Sequence, residues 1–149
     1  MTHHEILKQL KDLGTAQNRK VYGRHGMVGD VFGVSFANLN QLKRKIKFNH
    51  ELACDLWRSG NADARHLAIM IVDVAKMTET RAEQWLKEIR YPMLAGLLAK
   101  VIAQTPFVQK KRNNGFVRQK NGSAVRAGIW WPVWLWKKMR LRKVFLKNV

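Results

Sequence analysis

The 149-residue chain is 46% hydrophobic and carries 28 Lys and Arg against 10 Asp and Glu, a formal net charge of +18. Such a chain can bury about two-thirds of its unfolded surface as one domain, and its charge selects polyanionic partners such as nucleic acid or acidic lipid. The single cysteine, Cys54, excludes an internal disulfide and fits a cytoplasmic setting; no secretory signal opens the chain, and the apolar runs at 67–72 and 127–136 fall short of the ~20 residues a membrane helix needs.

Thr2 and Glu5 have the spacing of a capping box, and Ile6, Leu10 and Leu13 repeat at helical intervals up to Gly14. Residues 15–25 read as a second, more polar helix carrying Arg19, Lys20, Tyr22 and Arg24. Three glycines and Asp30 within residues 26–34 mark a loop. Ser35 caps a third helix with Phe36, Leu39, Leu42 and Ile46 inward and Lys43, Arg44, Lys45 and Lys47 outward. Asn49 caps a fourth, with Leu52, Ala53, Leu56 and Trp57 on one side and Gly60 at its end; Cys54 on this helix reads as a small buried hydrophobe.

Asn61 opens a fifth helix with Ala64, Leu67, Ala68 and Ile71 as its stripe. Thr78 or Thr80 starts a sixth, burying Ala82, Trp85, Leu86 and Ile89. Pro92 suits the first turn of a seventh, which runs through Leu94, Leu97, Leu98, Val101 and Ile102 to Thr105 and Pro106. Short helices joined by tight turns, with no strand pattern of comparable length, predict an all-α chain of antiparallel helix pairs stacked as an α-solenoid.

The runs FGVSFANL at 32–39 and LWRSGNADARHLA at 56–68, with YGRHG at 22–26 and KMTE at 76–79, resemble AlkD-like DNA alkylation repair proteins over about residues 5–111. That resemblance implies a HEAT-like superhelix whose concave, basic face holds duplex DNA. It further implies a monofunctional glycosylase that releases N3- and N7-alkylated purines with no metal or organic cofactor, and a monomer is expected. Lys43, Arg44, Lys45 and Lys47, with Arg19, Lys20, Arg24 and Arg65, would then track phosphates, although a solvated helix face is the plainer reading of such a cluster. Tyr22 either faces the DNA or packs between helices. Trp57 and Trp85 lie on apolar stripes and read as core. The five histidines lack metal-ligand spacing, so no metal is expected.

In the family that this chain resembles, the chemistry rests on an aromatic residue and a carboxylate four positions apart at a helix start, with an arginine further on. The carboxylate stabilises the oxocarbenium-like sugar as the glycosidic bond of a cationic alkylpurine breaks, and the aromatic face attracts that cation. The matching positions here are Pro92 and Gly96. Tyr91 is the neighbouring aromatic, and the nearest acid is Glu88, two turns earlier. Excision is therefore expected to be impaired or absent, the alternative being a non-enzymatic DNA-binding or scaffold protein on the same solenoid.

Residues 112–149 hold ten of the 28 basic residues, no acid, and four of the six Trp. The resemblance stops at Lys110 and Lys111. Read one base out of frame, codons for 111–117 permit Ala-Glu-Gln-Trp-Ile-Arg and those for 120–128 permit Glu-Trp-Val-Gly-Arg-Ala-Gly-Trp, which resembles the family's continuation. Residues 1–111 are thus expected to form a C-terminally truncated helical domain, and 112–149 an out-of-frame tail. The competing reading makes the tail genuine, its Trp cluster and following Lys and Arg forming an interfacial membrane binder or a nucleic-acid arm.

Overall fold

The computed structural model describes residues 1–27 and 29–110; the expectations for Lys111 and for residues 112–149, including the tail's frame and its membrane alternative, lie outside the described residues. Among the described residues seven α-helices follow one another: α1 (His3–Leu13), α2 (Ala16–Arg24), α3 (Phe36–Ile46), α4 (His50–Arg58), α5 (Ala62–Ile71), α6 (Glu79–Glu88) and α7 (Pro92–Ala103). Residues 106–110 are helical again. No strand forms among the described residues, and Gly14 and Val34 meet in a lone antiparallel bridge. This is the predicted all-α architecture.

Local chemistry sets the boundaries. Thr2 and Glu5 complete the capping box, with the Glu5 N–H on Thr2 Oγ1 at 3.3 Å and the Thr2 N–H on Glu5 Oε2 at 2.9 Å. Side chains of Thr15, Ser35, Asn49, Asn61 and Thr78 accept the free N–H groups that start α2 to α6, each contribution being about 1 kcal/mol. Helix α7 has no such cap and begins instead on Pro92, whose missing N–H needs no acceptor at that position.

Helix α5 is the centre of the packing. It lies against α4, to which residues 59–61 join it, and also against α3, α7 and α1. Its buried set extends beyond the predicted stripe to Ala62, Asp63, His66 and Ile69. Trp57 of α4 and Trp85 of α6 stack face to face, centroids 4.2 Å apart and planes within 2°, so both are core as expected. Cys54 is buried too, its Sγ accepting an N–H from Arg81 at 2.8 Å. Phe36 differs from its expected inward position: in the first turn of α3 it is 40% exposed, its ring edge-to-face with His66 at 5.5 Å.

The end of the glycine-rich loop is tied down by one buried carboxylate. Asp63 accepts the backbone N–H groups of Phe32 (2.7 Å), Gly33 (3.0 Å) and Val34 (3.1 Å). Thr15 N–H and Asn18 Nδ2 donate to Gly33 O, and Arg19 Nη1 to Phe32 O, from the other side. The backbones come so close that a Cβ on Gly14 would sit 2.3 Å from Phe32 O, and one on Gly33 (φ 82°) would sit 2.5 Å from Thr15 O. Only glycine fits such contacts.

Candidate nucleic-acid interface

Helix α3 ends in a basic turn containing Lys43, Arg44 and Lys45, and Lys47 follows as its C-cap. Cations there are favoured by the helix dipole, whose negative end they face. Arg44, Lys45 and Lys47 are exposed and Lys43 is half-buried. Helix α2 adds exposed Arg19, Lys20 and Arg24, although Arg19 spends one guanidinium nitrogen on Phe32 O at 3.1 Å. The chain turns at Lys47 with φ 63°, the only positive φ at a described non-glycine residue. Lys47 N–H bonds back to Lys43 O at 2.7 Å, and Asn49 N–H bonds to Ile71 O at 2.9 Å. Between these two anchors Phe48 stands out, 72% exposed. Sequence reading missed it because it belongs to neither helical stripe, but an aromatic ending a basic run was visible as a signal.

Besides Arg19, two more of the expected DNA-facing residues carry internal bonds. Arg65 donates from Nε to Trp57 O (3.3 Å), from Nη1 to Glu88 O (3.1 Å) and from Nη2 to Glu88 Oε2 (3.1 Å). Its guanidinium also lies over the Trp57 ring at 5.0 Å, and its side chain is only 14% exposed. Here Arg65 is a strut between α4, α5 and α6. Tyr22 is half-buried and donates its hydroxyl to Val34 O at 2.8 Å. Burial, with the Asp63 charge adding to it, raises its pKa above the ordinary tyrosine value.

At the start of α7, Pro92 is exposed and Gly96 half-buried, and a Cβ on Gly96 would meet nothing within 4 Å. No residue of α7 is acidic. Tyr91 does not present its ring at this surface: it is 5% exposed, and its hydroxyl lies 3.4 Å from Ala62 O and 3.2 Å from His66 Nδ1. Burial first, and then the Asp63 charge, push its pKa well up. His66 Nδ1 lies 3.0 Å from Ala62 O, which makes Nδ1 the donor and leaves Nε2 buried with no hydrogen-bond partner among the described residues. Burial holds the imidazole pKa below its usual value, against opposing pulls from the Ala62 carbonyl and Asp63. Glu88 gives its carboxylate to Trp57 Nε1 (2.7 Å), Arg65 and Gln84. No group of three His, Cys, Asp or Glu side chains suited to a metal occurs among the described residues. No described helix is long and apolar enough to cross a membrane.

A family model for DNA alkylation repair enzymes matches residues 6–145, beyond Lys111 and into the basic tail. Uncharacterized proteins of Listeria innocua and Listeria monocytogenes are 29% and 28% identical over 89 residues, which is 57% of this chain and 40% of each of theirs. One solved structure superposes with a TM-score of 0.69 at 28% identity, over 79% of this chain and 51% of its own. It is described as belonging to a new family of proteins related to the HEAT-like repeat DNA glycosylases with affinity for branched DNA structures. The chain thus spans about half the length of that protein and less of the curated relatives.

Proposed function

The chain belongs to the DNA alkylation repair enzyme family, and on that premise we propose that it binds DNA through the C-terminal end of α3 and excises alkylated purines weakly or not at all. The carrying observation is the pairing of an exposed basic turn at 43–47 with an α7 that offers Pro92 and Gly96 and no acid. The first supplies phosphate contacts whose strength comes from counterion release. The second leaves no acid on α7 to stabilise a positively charged sugar, and Glu88 is bound to Trp57 and Arg65. Lys43, Arg44, Lys45 and Lys47 are the primary contacts, with exposed Lys20 and Arg24 of α2 as further ones. Arg65 acts within the protein, and Tyr22 supports the loop.

Titration of the full chain onto labelled duplex over a salt series, alongside release of methylated purines from alkylated DNA, tests both halves. Salt-dependent binding without base release supports the reading. Absent binding would remove its first half, and base release above the uncatalysed rate its second. The affinity for branched DNA structures described for the solved relative supports the DNA-binding half of this reading.

Residues 112–149 remain, on this reading, an out-of-frame continuation after the Lys110–Lys111 codons; the family match reaching residue 145 is the observation on the other side. Sequencing the gene across those codons and past Val149 decides between them.

A further inference from the structure

Phe48 is the most exposed of the large hydrophobic side chains among the described residues, at 72%. An isolated exposed apolar residue needs no explanation by itself. Three features set this one apart. It follows Lys43, Arg44, Lys45 and Lys47 directly, in a stretch from 36 to 50 that has no acid. Its neighbour Lys47 adopts a left-handed backbone (φ 63°) that non-glycine residues rarely take. Both flanks are bonded, Lys47 to the last turn of α3 and Asn49 to the carbonyl of Ile71. The ring is therefore presented on a fixed turn at the edge of a cationic surface.

Resting on the DNA-binding reading above, and given the affinity for branched DNA structures described for the solved relative, we propose that Phe48 is the residue that stacks on an unpaired base, so that the 43–48 turn selects DNA interrupted by a branch or unpaired nucleotide over continuous duplex. Phosphate contacts fix position without discriminating between DNA forms. An aromatic face beside them adds stacking with any base that is free. In a continuous duplex the bases are already stacked and paired, and reaching one requires unstacking a step. At a branch that opposition is absent. One ring on a preformed turn thus converts a general attraction for phosphate into a preference for discontinuities.

The test compares the full chain with Phe48→Ala and Phe48→Leu on two probes, a matched duplex and a three-way junction carrying 2-aminopurine at an unpaired branch position. Because the ring is exposed, both variants should keep the melting temperature of the parent. Phe48→Ala should lose about tenfold in junction affinity and little on duplex, and the 2-aminopurine quenching seen with the parent should disappear. Phe48→Leu, which keeps apolar bulk without a π face, should behave as Phe48→Ala does. Equal losses on both probes, no loss on either, or full junction affinity in Phe48→Leu would each overturn the inference while leaving DNA binding intact. A parent chain that binds neither probe would overturn this inference and the DNA-binding reading together.

Discussion

The Glu88 carboxylate accepts the indole N–H of Trp57 at 2.7 Å, and the same oxygen holds the guanidinium of Arg65 at 3.1 Å. With Trp85 stacked on Trp57 and Arg65 lying over the Trp57 ring, one carboxylate ties α4, α5 and α6 together. It is the acid nearest the start of α7 in sequence, and it is occupied with architecture.

Glu88→Ala is expected to destabilise the fold by about 1–3 kcal/mol, because the indole N–H and the guanidinium lose their shared acceptor. Thermal melts should show a drop of several degrees. A change within about one degree would mean that water replaces the carboxylate without cost.

Asp63→Ala should be costlier, about 3 kcal/mol or more, since three backbone N–H groups at the end of the loop lose a charged acceptor at once. Asp63→Asn keeps one carbonyl oxygen but turns an NH₂ toward donors, and should recover only part. Urea unfolding midpoints of the two variants check the order.

Gly96→Ala should stabilise the chain by about 0.5–1 kcal/mol, as α7 gains a better helix former where a Cβ meets open space. The same space makes Gly96→Asp a test of function. If a missing carboxylate is what limits excision, that variant gains methylpurine release; if release stays at the uncatalysed rate, more than one acid is lacking.

His66 gives a pH signature. Its folded pKa is depressed by burial, so below the unfolded value of about 6.5 the unfolded chain binds more protons than the folded one. Stability is complete above that value and is lost as pH falls through it toward the folded pKa. Urea midpoints should fall as pH drops below about 6.5, and His66→Leu should flatten that decline. An unchanged slope in the variant would assign the effect elsewhere.

Replacing Lys43, Arg44, Lys45 and Lys47 together with Ala should weaken binding to every DNA probe and reduce the log–log salt slope by about 0.9 for each phosphate no longer neutralised. A slope equal to that of the parent would place the interface on another face.

The helices were legible because their signals are local. Thr2, Ser35, Asn49 and Asn61 each announce a start within four residues, and the apolar stripes of α1 and α4 repeat at the helical period. What could not be read depends on partners about thirty positions apart. The three Asp63 bonds span 29 to 31 residues and the Arg65–Glu88 pair 23, distances at which no periodicity speaks. Arg65, expected at the DNA, is used inside the fold, and Asp63 had no signal of its role beyond its place in the first turn of α5. Phe36 misled for the opposite reason: its spacing matched the stripe, but at the first turn of α3 it lies at the margin of the core.

The close approach of the backbone at Gly14 and Gly33 has a consequence for how this fold can vary in length. A glycine-rich surface loop is ordinarily where relatives gain or lose residues. Here residues 32–34 are held from both sides by Asp63 and by α2, at separations that leave no room for a methyl group. Inserted residues would therefore be excluded from this end of the loop. The loop is thus of fixed length in its last three residues.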